Sequence, residues 1–335
     1  MRTYTLLKLN RFVKNHRIKF FELFLLHKFN KRYLAVHFDP VNACNLRCKM
    51  CYFTDSDYVK TIKGTFDKND LPLLGKAVLK RALKFQIGCG TEPTLYNNLE
   101  DVIKIGNSYK VPHISLTTNA NLLTKEKLNK WIDAGLHEII VSLHGVHQNT
   151  YENFMQKGDY HKFHNALQWI SELNEQSKKL SLRINYTFNE DNFSELTDFF
   201  KVYGKYRLDT LQLRPIHNLG NTAYQNFKMD HIIPIYDQVL KSIRETCKSR
   251  DITLIAALSA DNLVSRKNTE SIIYKYTYCY ISPTDFWHTD FDWKNETYDA
   301  YFNRKKISHE FLKNMFVSAD EIKDLQTENL NYNID

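Results

Sequence analysis

From Tyr33 onward, short apolar, β-branched runs alternate with longer stretches whose apolar positions recur every three or four residues. The strand-like runs are YLAVHF (33–38), FQIGCG (85–90), HISLTTN (113–119), EIIVSLH (138–144), SLRINYTF (181–188) and TLQLRPI (210–216). Between them, Phe163, Leu167, Ile170 and Leu173 form one helical stripe, and Leu196, Phe199, Phe200 and Tyr203 another. Gly135, after KWIDA, is placed to cap a helix before the next strand. Six strands alternating with helices predict right-handed βαβ units, hence an α/β fold with a parallel sheet. An open doubly wound sheet and a full or partial barrel both satisfy this pattern. In either case ligands collect at the C-terminal ends of the strands.

The pattern changes after about Ile216. Residues 231–250 read as a helix and ITLIAALSA (252–260) as a strand or buried turn. The aromatic stretch YKYTYCYISPTDFWHTDFDWKNETY comes close to alternating, which predicts one or two hairpin strands of a small α+β appendage. At the other end, Met1 to Arg32 holds nine Lys or Arg and a single acid, Glu22, with apolar residues between them. Such a segment suits an amphipathic helix on a membrane surface or a partner, or a helix packed on the main domain. Glu22 and His27 break its apolar run and no small-residue cleavage site follows, which argues against a signal peptide. No stretch approaches the roughly 18 apolar residues of a membrane span.

Composition narrows the class without deciding it. The chain has 335 residues, 43% of them hydrophobic and 25% charged, with only 10 Gly and 7 Pro, so it is globular and can bury a large core. A net charge of +8 fits an anionic small molecule, an acidic peptide, a nucleic acid or a membrane surface about equally. Six cysteines, half of them in one short loop, do not form a secreted disulfide framework. They point to reduced thiols in the cytoplasm, with the cluster used for metal.

That loop is VNACNLRCKMCYF, with Cys44, Cys48 and Cys51 just past the first strand. Three thiolates at this spacing hold an iron–sulfur cluster or, with a fourth ligand such as His37, a tetrahedral zinc; they also occur as free thiols. CNLRCKMC resembles the C-x3-C-x2-C signature of the radical S-adenosylmethionine (SAM) superfamily. The resemblance implies that the three cysteines bind three irons of a [4Fe–4S] cluster, while the fourth iron takes the amino and carboxylate groups of SAM. Met50 stands where an aromatic residue is common.

The likeness continues over roughly Ala35 to Leu219. Gly90, Thr91, Glu92 and Pro93 match the family's G-G-E-P motif, which holds the methionine ammonium, with Thr91 in place of the second glycine. LTTNANLL resembles T-N-G-x-L-L with Ala120 for glycine, and VSLHG resembles V-S-L-D-G with His144 for aspartate. By that resemblance Thr118, Asn119 and Ser142 join the SAM pocket, and His144 leaves any acid role at its position in doubt. Arg183, Asn185 and Arg214 on later strands are candidates for the SAM carboxylate or the substrate, or for structural pairing. Cys89 is a catalytic candidate, a thiol able to return a hydrogen atom to a substrate radical; a small buried apolar group is the plainer role for it.

The family reading implies a partial (β/α)6 TIM-like barrel at 33–230, a basic helical extension at 1–32 and a C-terminal appendage at 231–335. It implies a low-potential reductant such as flavodoxin or ferredoxin, and a 5′-deoxyadenosyl radical that abstracts hydrogen from substrate. The run SLHGVHQNTYENFMQKGDYHKFHNAL resembles the branch that matures peptides and sulfatases, so a peptide substrate is expected. Relatives there carry auxiliary [4Fe–4S] clusters, but only Cys247 and Cys279 lie beyond the barrel, so the appendage resembles a cysteine-poor version of their SPASM or twitch region. Asp285, His288, Asp290 and Asp292 in it are either a metal-binding group or the solvated charges of a covering hairpin. Two other functions stay open: a radical SAM enzyme acting on a small molecule or RNA, and a non-catalytic zinc or iron–sulfur protein.

Overall fold

A computed structural model of the chain describes residue 13 and residues 15–334, apart from 178–179, 218–220, 223, 225, 264–265, 268, 319, 323–325, 327 and 330–332. Its main sheet is built from β1 (Leu34–Phe38), β2 (Ala82–Ile87), β3 (Ile114–Thr118), β4 (Glu138–Leu143), β5 (Ser181–Phe188), β6 (Thr210–Pro215), β7 (Thr253–Ala256), β8 (Tyr278–Ile281) and β9 (Asn333–Ile334). The order across the sheet is β8-β1-β2-β3-β4-β5-β6-β7-β9. Every pairing from β8 to β7 is parallel, and β9 alone runs antiparallel, against β7. The sheet curls into a partial barrel, bringing Lys84 of β2 within electrostatic reach of Arg183 on β5.

All six strands expected from the alternation are present. The second begins and ends about three residues early, because Gly88 takes a left-handed φ of 83° and stops it. A side chain there would collide with the Thr117 carbonyl, so only glycine lets the backbone turn at that point. The expected hairpin is not what forms. Tyr278–Ile281 lies parallel to β1 instead, with Ala35 opposite Tyr278 and Phe38 opposite Ile281. Cys279 and Ile281 are fully buried, so burial against β1 outweighs local hairpin closure. With β7 on the far side, the C-terminal third contributes a parallel strand at each flank of the six-strand core.

The helices that matter below are α1 (His16–Lys28), α2 (Lys125–Ala134), α3 (Tyr160–Ser177) and α4 (Ile307–Phe316). Gly135 closes α2 at φ 111°, its N–H bonding back to Ile132, as its sequence position implies. The α3 stripe Phe163, Leu167, Ile170 and Leu173 is buried against the sheet layer. α1 is packed on the protein: Phe20 is fully buried, its ring 6.0 Å from both Tyr276 and Phe311 of α4. His27 stacks on Phe302 at 3.4 Å, and burial lowers its pKa to about 4. Ile18 and Phe21 on the outer face of α1, and Phe29 just past its end, are exposed. No helix among the described residues is long and apolar enough to cross a membrane.

Phe20 is the most deeply buried residue of α1. Phe20→Ala is expected to cost about 3–5 kcal/mol in chemical denaturation, as for other buried Phe truncations. A loss under about 1 kcal/mol would show that α1 is not part of the cooperative core.

Candidate active site

The cysteine loop leaves the C-terminal end of β1 and is pinned to the segment after β4. Arg47 and Cys48 pair antiparallel with Gln156 and Met155, and Lys49 N–H donates to the Phe154 carbonyl at 2.9 Å. Within the loop, Cys51 N–H donates to the Cys48 carbonyl at 2.8 Å and Leu46 N–H reaches the Cys44 sulfur at 3.4 Å. The Arg47 guanidinium ties down the carbonyls of Cys44 and Leu46 at 2.8 and 2.7 Å. Met50 packs into an apolar cluster with Phe154 and Ile216, which explains how it serves where an aromatic is common.

Two buried carboxylates organise the rest of the site. Asp39, fully buried at the end of β1, accepts from the N–H groups of Cys89 (2.7 Å) and Gly90 (3.0 Å), from Thr91 Oγ1 (3.0 Å) and from the Tyr280 hydroxyl (2.9 Å). The turn after β2 is thereby fixed to β1 and β8. Thr91 is therefore no defect of the glycine motif, because its hydroxyl completes the Asp39 shell. Tyr52 closes the same turn from the other side, donating to the Gly90 carbonyl.

Glu92 is only 2% exposed and accepts from Thr94 N (3.1 Å), Thr94 Oγ1, Thr118 Oγ1 (2.7 Å) and Asn119 N (2.8 Å). Burial raises its pKa, against those hydrogen bonds. The Thr118 hydroxyl and the Asn119 backbone thus serve Glu92 directly. The Asn119 side-chain amide turns to Asn45 Oδ1 at 2.8 Å, with Cys44 Sγ at 4.0 Å, linking the third strand end to the cysteine loop.

One cavity gathers these groups. Cys44, Cys48 and Cys51, then Gly90, Thr91 and Glu92, then Thr118, Asn119 and Ser142 all line it, and Cys89 opens onto it. Pro93 is buried in the adjoining turn. Arg214 also lines the cavity, whereas Arg183 donates to Asn185 at 2.8 Å and to Gln212 lower in the barrel. His37, considered above as a zinc ligand, instead faces Cys89, with Nδ1 3.3 Å from its sulfur, and stacks on Tyr278 at 4.3 Å. Asp39, Tyr52 and Tyr280 escaped the sequence reading. A lone acid at a strand end five residues before the first cysteine is the one signal that marks Asp39.

Among the described residues no group of three or more His, Cys, Asp or Glu is placed to hold a single metal ion. Asp285 accepts from Thr284 and Ser282, Asp290 pairs with Lys305 at 2.9 Å, Asp292 accepts from Asn295, and His288 stacks on Trp287. Cys247 and Cys279 are buried in the core on separate elements.

Comparison with known proteins assigns the family. A model of the radical SAM superfamily matches residues 39–200, the span that carries the cysteine loop and the segments that follow β1 to β5. Residues 39–200 are a radical SAM domain. Among curated proteins the chain is 26% identical over 182 residues to a probable GTP 3′,8-cyclase of Sulfolobus acidocaldarius, covering 53% of this chain and 55% of that protein. It is 25% identical over 178 residues to the GTP 3′,8-cyclase of Listeria monocytogenes, covering 53% and 52%. The match thus spans about half the length of these curated relatives. In fold it resembles Streptococcus suis SuiB bound to S-adenosylmethionine, at TM-score 0.59 and 17% identity over 81% of this chain and 64% of that one. It also resembles anSMEcpe with bound AdoMet and Kp18Cys peptide, at TM-score 0.58 and 16% identity over 85% and 84%.

A radical SAM domain implies a [4Fe–4S] cluster and SAM, and the residues fit both. Burial pushes the Cys44 thiol up to about 12 and Cys48 well above its ordinary value, with the charges of neighbouring cysteines adding to the rise. Thiols that resist ionisation together become ligands once positive charge arrives among them. Each thiolate of an iron–sulfur cluster binds its own iron, so the three sulfurs need not converge on one point as zinc requires. Beside them the turn after β2 is immobilised from both sides, a rigid frame for a ligand.

Asp39→Asn keeps the shape but turns an acceptor into a donor facing N–H groups. It is expected to lower stability by about 2 kcal/mol and SAM affinity by about tenfold, measured by denaturation and by equilibrium binding to reconstituted protein; unchanged SAM affinity would remove Asp39 from the site. Ala120 is the residue after Asn119 and holds a left-handed φ of 66°. Ala120→Gly is expected to stabilise the protein by about 0.5–1 kcal/mol, and a loss of stability would contradict the strain assigned there.

Proposed function

We propose that this chain is a radical SAM enzyme that modifies a peptide or protein. The likeness that supports a peptide is one of extent. The fold shared with SuiB bound to precursor peptide SuiA covers 81% of this chain, and that shared with anSMEcpe and its peptide covers 85%. The sequence matches to the GTP cyclases cover less, from 53% to 68% of the chain. The cyclases are nonetheless the nearer in sequence, at 25–26% identity, which supports a nucleotide as the second reading.

In this reading Cys44, Cys48 and Cys51 hold the cluster, and Gly90 to Pro93 with Thr118, Asn119 and Ser142 hold SAM. When bound and reduced by one electron, the pair supplies SAM cleavage and hydrogen-atom abstraction from substrate. The protein contributes position and dryness: Met50, Phe154 and Ile216 cover one flank, and the two carboxylates fix the strand ends. Cys89 is the candidate hydrogen donor. Its S–H bond breaks as a C–H bond forms on the substrate radical. The thiyl is then restored by one electron, from a flavodoxin- or ferredoxin-class donor, and one proton, passed through His37.

The test is anaerobic. Protein reconstituted with iron and sulfide, reduced with dithionite and given SAM is expected to form 5′-deoxyadenosine, and Cys48→Ala to form none. Equal formation by both proteins would sink the proposal. Added GTP is expected to leave the yield unchanged; consumption of GTP would favour the nucleotide reading.

A further inference from the structure

The inner faces of β4, β5 and β6 form a ladder whose rungs are fixed by register. Ser142 stands opposite Asn185, and Asn185 opposite Gln212. One step nearer the cavity, Thr187 is opposite Arg214, and His144, just past the end of β4, bonds the Thr187 backbone. The alternating burial of β5 puts Arg183, Asn185 and Thr187 on the same inner side. The lower rung is internally satisfied, since Arg183 donates to both Asn185 Oδ1 and Gln212 Oε1.

The upper rung is not. Arg214 Nε and His144 Nδ1 are both buried and both lack a protein partner. Each such orphan costs about 1–3 kcal/mol, so a pair of them facing one cavity marks a place for a ligand. Their chemistry is complementary. Burial, and then the charge of Arg214, lowers the His144 pKa to about 4, so the ring is neutral. Its hydrogen is on the nitrogen that bonds Thr187, which leaves Nδ1 as an acceptor. Arg214 can only donate. It is the only Lys or Arg among the described residues lining the cavity, and no carboxylate pairs with it there.

We propose that Arg214 and His144 form a substrate subsite, taking an anionic oxygen group on the guanidinium and an adjacent N–H or O–H donor on Nδ1. The proposal rests on the enzyme reading above and narrows its substrate. A peptide offers the pair as an acidic side chain with a neighbouring amide N–H. A nucleotide offers it as a phosphate with a ribose hydroxyl. Arg214 suits either, because a guanidinium binds both oxyanions in a fork.

Calorimetric titration of reconstituted, SAM-loaded protein tests this with two probes, GTP and the peptide acetyl-Gly-Glu-Gly-amide. At least one probe is expected to bind, and Arg214→Gln to weaken it about tenfold or more, with Arg214→Lys recovering part. His144→Leu is expected to weaken the same probe by about threefold to tenfold, and His144→Asn, which restores an acceptor, to recover part. Which probe responds tells carboxylate from phosphate. The subsite is overturned if neither probe binds, if binding ignores both positions, or if SAM affinity falls as far as probe affinity in Arg214→Gln. 5′-Deoxyadenosine formation by the wild-type preparation is read in parallel, so failure of the radical chemistry is distinguished from failure of the subsite.

Discussion

A carboxylate removed from water must collect hydrogen bonds, and the site is arranged around two that do. Asp39 draws in donors from the turn after β2 and from β8. Glu92 draws in donors from its own turn and from the end of β3. Between them they connect four strands of the parallel sheet at the end where ligands bind.

Seen this way, the departures from the family pattern have local causes. Thr91 fills a hydrogen-bonding role that glycine lacks, and Met50 seals an apolar flank that an aromatic usually seals. Ala120 keeps the backbone of the glycine it replaces, at the cost of a left-handed φ. His144 keeps a polar group where aspartate is usual but changes its character, from a charged acceptor to a neutral one.

Much of this was legible in the chain. Alternation and helical stripes gave β1 to β6 and α3, since those elements bury one face each. Cys44, Cys48, Cys51, Glu92 and Ser142 were found by spacing and resemblance, and they do line one cavity. What stayed hidden was non-local. No local period shows that YCYI will lie parallel to β1 across more than two hundred residues of chain, or that Tyr280 will reach Asp39. The acids at 285–292 stayed open between a metal group and solvated charges, because sequence shows their proximity but not their partners. The packing of α1 on α4 was equally out of reach, since a helix apolar on several sides gives no sign of which neighbour it will meet.

The central claim is that three thiols of one loop hold a cluster whose remaining iron binds SAM. Electron paramagnetic resonance of the reconstituted, dithionite-reduced protein tests it most directly. A [4Fe–4S] signal that shifts on adding SAM and is lost in Cys44→Ala is expected. A signal indifferent to SAM, or a SAM-shifted signal that survives Cys44→Ala, would contradict it.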